Sequence, residues 1–264
     1  MSGFILACRD VCMAFGGVKA VDKFSMAVSP GVTIGIIGPN GAGKTTIFNI
    51  FSRIYKQTSG TISFMDKCID DKDQVSVARM GLSRTFQNIR LFSGLDVWDN
   101  VKVSLDYCGG YSIPEAVFHL PRCRREENRI AEEAMATLQL LRLDQYAHKR
   151  ATSLPYGLQR RVEFARALAT KPKLLLLDEP AAGLNPEEVL ELVDFIKEIK
   201  CLYPELALLL IEHRMDLVMN LCEYLYVQNF GKTIAQGVPA EIQTNPLVLA
   251  AYLGNEEEPH YGLA

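Results

Sequence analysis

Gly38-Pro-Asn-Gly-Ala-Gly43-Lys44-Thr45 is the segment of this chain whose residue types and spacing best suit chemistry. Its glycines let the backbone curl until successive N–H groups point into one concavity, which is how backbone binds anions. The β-branched run Val32-Thr-Ile-Gly-Ile-Ile37 before it reads as a strand, and Ile47, Ile50, Phe51 and Ile54 after it recur at helical spacing. A helix that opens on such a loop adds unpaired N–H groups and the positive end of its dipole. Lys44 brings a point charge to the outer phosphates of a polyphosphate, and Thr45 offers a hydroxyl to Mg2+. G-x-x-x-x-G-K-[ST] between a strand and a helix is the context that identifies a phosphate-binding loop.

A second constellation follows the apolar run Leu174-Leu-Leu-Leu177, which delivers Asp178-Glu179-Pro180 to a sheet edge. Asp178 there can hold Mg2+ through water, and Glu179 can take a proton from an attacking water. Phosphoryl transfer also needs donors around the terminal phosphate and a positioned water. His213, just after the apolar run 206–211, and Gln87 are candidates for those tasks.

The elements that must position these groups come in an alternating order. Residues 4–7 and 11–14 read as short strands, Gly16-Gly17 and Ser59-Gly60 as turns, and 61–65 as a further strand. From about residue 88 to 169 the helical signal dominates, with Ile130, Ala134, Leu138 and Leu141 on one face. Pro114 and Pro121 break the stretch before it, and Arg122-Cys-Arg-Arg125 reads as a solvated turn. Strands are expected again at 174–177, 206–211 and 225–229, the last closing at Gly231. Asn185-Pro186-Glu187-Glu188 has the form of a helix start, and Val189, Leu192, Val193, Ile196 and Ile199 give that helix one apolar face. The tail Asn255-Glu-Glu-Glu-Pro259 reads as frayed. Buried strands alternating with helices imply an α/β fold whose sheet has a parallel core covered on both faces.

Composition narrows the class. The 264 residues are 48% hydrophobic and 22% charged, enough for one large or two modest domains and unlike a disordered chain. Lys and Arg number 28 against 31 Asp and Glu, a formal charge of −3, which argues against a nucleic-acid binder working through bulk charge and leaves only a local basic patch open. The seven cysteines (Cys8, Cys12, Cys68, Cys108, Cys123, Cys201 and Cys222) have no C-x-x-C spacing and read as small buried apolar residues in a reducing compartment. The N-terminus lacks the pattern of a signal peptide. The longest apolar runs fall far short of the ~20 residues that span a bilayer. The chain is therefore expected to be soluble and cytoplasmic, and held by another protein if it works at a membrane.

Just ahead of the acidic pair, Leu154-Pro155-Tyr156-Gly157-Leu158-Gln159-Arg160-Arg161 resembles the L-S-G-G-Q signature and basic helix of ABC-transporter ATP-binding cassettes. The resemblance covers essentially the whole chain. It implies a P-loop NTPase cassette: a RecA-like mixed sheet core, an antiparallel β subdomain and an inserted α-helical subdomain. Residues 1–87 and 165–235 would form the catalytic core with its β subdomain, 88–164 the helical part and 236–264 a C-terminal segment. Nucleotide binding would fall to Phe15, stacked on adenine, and to Gly38, Pro39, Asn40, Gly41, Ala42, Gly43, Lys44, Thr45 and Thr46. Glu179, His213 and Gln87 would serve catalysis, and Thr45, Gln87 and Asp178 would serve Mg2+. Leu154, Pro155, Tyr156, Gly157, Leu158 and Gln159 would act in trans, on ATP held by a second cassette, in a homo- or heterodimer.

Arg84-Thr-Phe-Gln-Asn-Ile-Arg-Leu-Phe92, Pro180-Ala-Ala-Gly-Leu-Asn-Pro186, Glu212-His-Arg-Met-Asp-Leu-Val-Met219 and Ala251-Tyr-Leu-Gly254 resemble branched-chain amino-acid importer cassettes. Urea or amide importers and lipopolysaccharide exporters share parts of this set. The resemblance further implies integral-membrane permease partners, an indirect link to a substrate-binding protein, no nucleic acid, and a peripheral place on the cytoplasmic face of the inner membrane. Phe92 and Trp98 are candidates either for core packing or for anchoring that partner. Pro155 stands where the signature has serine and Leu158 where it has glutamine; proline brings neither a hydroxyl nor an N–H, so engagement in trans is expected to be weakened. A GTPase is disfavoured by the lack of N-K-x-D. A ribosome- or DNA-directed ABC protein is disfavoured by the single phosphate-binding loop.

Overall fold

The computed structural model describes residues 3–106 and 121–253. Two sheets organise them. Strands β1 (Leu6–Phe15), β2 (Val18–Val28), β4 (Ser59–Phe64) and β5 (Lys67–Cys68) form an antiparallel sheet in the order β2-β1-β4-β5. The second sheet has the order β10-β9-β3-β8-β7-β6. It is built from β3 (Thr33–Ile37), β6 (Leu82–Arg84), β7 (Leu174–Asp178), β8 (Ala207–Ile211), β9 (Tyr224–Asn229) and β10 (Lys232–Gly237). All its pairings are parallel except β9 with β10. The expected mixed core with an antiparallel partner sheet is thus present.

Strands β7 and β8 show why their sequences are apolar throughout. Leu174 and Leu176 point into one buried cluster, while Leu175 and Leu177 point into another. Ala207, Leu209 and Ile211 likewise face the first cluster, and Leu208 and Leu210 the second. The first cluster lies under the antiparallel sheet and helix α1 (Lys44–Phe51), through Phe24, Phe48, Phe51 and Phe64. The second is filled by helices, so neither face of β7 or β8 meets water.

Those helices are α3 (Val97–Asp106), α4 (Pro121–Leu140), α5 (Tyr156–Ala169), α6 (Pro186–Leu202), α7 (Met215–Leu221), α8 (Pro239–Gln243) and α9 (Pro246–Leu253); a short α2 (Gln74–Arg79) precedes β6. Ile130, Ala134 and Leu138 of α4 and Val97 and Val101 of α3 belong to the same cluster as Leu175 and Leu177. The helical block therefore shares one core with the sheet. Helix α5 runs unbroken across the expected boundary at 164/165.

Several local expectations are corrected. Ser59 and Gly60 lie inside β4; a side chain at Gly60, whose φ is +91°, would come within 2.5 Å of the Asp10 carbonyl on β1. Residues 6–7 and 11–14 belong to one strand, β1, interrupted by register shifts near Asp10, and Phe4 and Ile5 precede it. Residues 122–125 lie within α4 rather than in a solvated turn, and Cys123 is buried. Residues 88–95 are not helical; Asn100, fully buried, ties that segment down by bonding Phe92 N–H and the carbonyls of Phe92 and Asp96. Cys68 and Cys201 are exposed rather than buried. Cys108, Pro114, Gly254 and the 255–259 tail lie outside the described residues. At Asn185 the expected cap is complete: its side chain accepts the Glu188 N–H at 2.9 Å, and the Glu188 carboxylate accepts the Asn185 N–H at 2.9 Å.

Candidate functional site

The phosphate-binding loop leaves β3 at Ile37 and enters α1 at Lys44. Gly38 has φ +147°, and a Cβ there would stand 2.0 Å from the Gln228 carbonyl. Gly43 has φ +97°, and a Cβ would stand 2.2 Å from the Ala20 carbonyl. Only glycine fits at either place. Gly231 N–H donates to Ala42 O at 3.1 Å, and Asp22 N–H donates to Gly231 O at 2.8 Å. The loop is thereby clamped between β2 and the β9–β10 turn. The Lys44 ammonium is buried and donates to Gly38 O at 2.6 Å and Pro39 O at 2.9 Å. Burial pulls its pKa below the ordinary lysine value, and the carboxylates of Glu179 and Asp178 oppose that pull.

Two adjoining cavities open on this loop. One, of about 200 Å3, is lined by Asn40, Gly41, Ala42, Gly43, Lys44, Thr45, Thr46, Ala20 and Glu179. The other, of about 550 Å3, is lined by Gly38, Pro39, Asn40, Gln87, Glu179, His213 and Tyr252. Asn40 and Glu179 belong to both, so the loop and the three candidate catalytic side chains share one mouth. Within it, Gln87 Nε2 donates to Glu179 Oε2 at 2.6 Å. Glu179 sits just past the end of β7 with φ +45°, and its N–H donates to Ile211 O at 2.9 Å. A left-handed backbone at a non-glycine residue costs energy, and here it turns the carboxylate out of the sheet. His213 is held by its own backbone: Glu212, fully buried, accepts the His213 N–H at 2.9 Å and the Ala181 N–H at 2.9 Å.

Asp178 lines neither cavity. Its carboxylate forms a buried ion pair with Arg84 at 2.6 Å, and Arg84 also donates to Asn49 Oδ1 at 2.8 Å and Ser52 Oγ at 3.0 Å. Thr45, Gln87 and Asp178 still offer an all-oxygen donor set of hydroxyl, amide carbonyl and carboxylate, which is the chemistry a hard cation such as Mg2+ takes. With Asp178 held back by Arg84, the set fits a cation reached through water. Phe15 is half exposed at the end of β1, its ring centroid 5.4 Å from that of Tyr55 in an edge-to-face pair, on the ribbon whose Ala20 lines the smaller cavity.

The signature-like segment lies elsewhere. Pro155 is the N-cap of α5 with no side-chain cap, and Tyr156 and Pro155 are exposed. Pro155, Gly157 and Leu158 line a separate cavity with Leu184, Glu188 and Glu191 and without any residue of the phosphate-binding loop. Gln159 bends back to donate to Leu154 O at 2.8 Å. The chain therefore does not bring 154–159 to its own loop. Trp98 packs against the core, its indole donating to Ala131 O at 3.2 Å. Phe92 is exposed, under the Arg166 guanidinium at 5.1 Å.

No local pattern in the sequence marks Arg84, Glu163, Arg160 or Tyr252 for a role of its own. Arg84 and Arg160 were visible only as members of motifs, since the ion pairs that bury them join distant segments. Tyr252, on α9, reaches the larger cavity; burial pushes its phenol up from its ordinary pKa, and a hydrogen bond with the Gly38 backbone opposes that.

Comparison with known proteins bears on this geometry. Residues 21–182 match the family model described as ABC transporter, and 232–258 match that described as branched-chain amino acid ATP-binding cassette transporter. The chain is 41% identical to the high-affinity branched-chain amino acid transport ATP-binding protein LivG of Salmonella typhimurium, over 96% of this chain and 99% of the relative. It is 39% identical to BraF of Pseudomonas aeruginosa, a protein of the same description, over 96% and 99%. Among solved structures it is similar to the ADP conformation of MJ1267, an ATP-binding cassette of an ABC transporter, with TM-score 0.82, 32% identity and 96% and 99% of the two chains covered. A nucleotide-free cassette from an ABC transporter aligns with TM-score 0.81 at 31% identity, over 96% and 100%.

Proposed function

Because this chain belongs to the ABC-transporter family of ATP-binding cassettes, we propose that it is the ATP-hydrolysing subunit of a branched-chain amino-acid importer, working through the site around Lys44 and Glu179. The observation that carries the reading is the shared mouth, where Gly38, Pro39 and Asn40 meet Gln87, Glu179 and His213. Loop N–H groups, the start of α1 and Lys44 grip the phosphate chain. Glu179 takes the proton of the attacking water while Gln87, already bonded to it, fixes its carboxylate. His213 donates to the terminal phosphate, and Phe15 stacks on adenine. Thr45 and Gln87 directly, and Asp178 through water, would hold Mg2+, which supplies neutralising charge to the phosphates when bound.

Cassettes of this family dimerise and work with membrane permeases. We assign the 154–159 segment to the nucleotide held by a second cassette, a copy or a sibling. Its position away from the chain's own loop supports this. Residues 1–87 and 165–235 act as catalytic core and 88–164 as the helical part, with α5 shared between them. A groove of about 580 Å3 beside Gln87, lined by Phe86, Arg90, Phe92, Glu163 and Arg166, suits a permease segment. Among the described residues no helix is long and apolar enough to cross a membrane, which fits a peripheral subunit on the cytoplasmic face of the inner membrane, fed by a substrate-binding protein through the permease and independent of nucleic acid.

Glu179→Gln tests the reading. The variant is expected to bind ATP normally and to lose a factor of about 100 to 10,000 in turnover, the range for a removed general base. Normal turnover would remove Glu179 from the mechanism.

A further inference from the structure

Arg160 has among the largest side chains fully buried in the protein, 1% exposed on helix α5. A guanidinium removed from water is costly unless each fork is satisfied. Here the partners are unusual. Nη1 donates to Phe86 O at 3.0 Å and Glu163 Oε2 at 2.9 Å. Nη2 donates to Gln87 O at 3.0 Å and to the Tyr156 hydroxyl at 3.3 Å. One cation thus grips two successive carbonyls of the irregular segment after β6. The Glu163 carboxylate also accepts the Phe86 N–H at 3.4 Å, so the same segment is held on its donor side as well.

Each arm leads to the candidate site. Gln87, whose backbone Arg160 holds, donates to Glu179. Tyr156, in turn, donates its hydroxyl hydrogen to Ala182 O at 3.2 Å. The neighbouring Ala181 N–H bonds Glu212, which also holds His213 N–H. The first turn of α5 is thereby joined through one guanidinium to Gln87 on one side and to the 181–182 loop on the other.

We propose that Arg160 is a positioning residue for ATP hydrolysis: by binding the carbonyls of Phe86 and Gln87 and the hydroxyl of Tyr156 it makes the Gln87 side chain and the 181–182 loop follow helix α5. The proposal rests on the reading that Gln87 serves the reaction. Lysine cannot replace the fork, because an ammonium is a point charge on a flexible stem and does not hold a planar set of acceptors. Tyr156, which follows Pro155 at the place of the first glycine of the L-S-G-G-Q pattern, acquires a task in this arrangement, since its hydroxyl links the guanidinium to Ala182.

A double-mutant cycle on the full-length chain tests it, with Arg160→Lys, Gln87→Ala and the double variant measured for kcat, KM for ATP and Tm. Arg160→Lys is expected to lower kcat by about tenfold with KM changed less than about twofold, and to have a clearly smaller effect on kcat, about threefold or less, in the Gln87→Ala background, where only the 181–182 arm is left to lose. Losses that multiply in the double variant would overturn the proposal, because a merely structural arginine would act independently of Gln87. A Gln87→Ala variant with unchanged kcat would end the assignment of Gln87 and this proposal with it. Should Arg160→Lys not fold, Tyr156→Phe, which removes one hydroxyl, replaces it in the same cycle; coupling supports the proposal and additivity overturns it.

Discussion

The two ends of the site are built on opposite plans. Around Gly38 and Lys44 the backbone is wedged against Gln228 and Ala20, and the ammonium is buried with two carbonyl partners. Around Pro155 the helix start is exposed, carries no side-chain cap, and faces a cavity without a phosphate-binding residue. The first end is finished within the chain. The second presents the unpaired N–H groups of a helix N-terminus outward, as a surface for an anion held elsewhere. The lesson is that stability and function respond to different changes at the two ends.

Gly38→Ala should have the largest effect, because the added methyl meets a main-chain carbonyl that cannot step aside. A loss of about 3 kcal/mol or more in denaturant unfolding is expected, with nucleotide binding lost as well. An unchanged midpoint would mean that the loop is not wedged. Lys44→Ala comes next: removal of a charged donor should weaken ATP binding on the order of 10- to 100-fold in a fluorescence titration, with little change in stability. Tight binding in that variant would contradict the assignment of the finished end.

The outward end should respond more gently. Asn185→Ala breaks the cap beside the 154–159 cavity and should cost about 1 kcal/mol of stability, leaving ATP affinity unchanged. Pro155→Ser adds a hydroxyl and an N–H at the uncapped start of α5. Turnover or nucleotide-driven dimerisation should rise by roughly two- to threefold, as expected for a few tenths of a kcal/mol and upward from an N-cap. A drop in both would show that proline is fitted to its place rather than a handicap.

Legibility in the sequence followed the range of the interactions. The phosphate-binding loop, the two-sided strands 174–178 and 207–211 and the Asn185 cap were readable, since each is specified by neighbours within a few residues. Strand β2 escaped notice because Lys19, Asp22, Lys23 and Ser25 dilute its apolar alternation, and β6 because it has three residues. The helical state of 122–125 is not legible locally, because the proline beside them reads as a break. At the site, Lys44, Glu179, Gln87 and His213 were legible from motif and strand end. The Arg84–Asp178 and Arg160–Glu163 pairs were not, because nothing local distinguishes a buried arginine from a solvated one.

Strands β7 and β8 send alternate side chains to opposite sides of a single sheet, and so serve both hydrophobic interiors at once. Stripping either layer would leave leucines of the same strands uncovered and the other layer without its floor. The helical block and the antiparallel ribbon are therefore coupled through a partition one sheet thick, and they are expected to melt in a single transition.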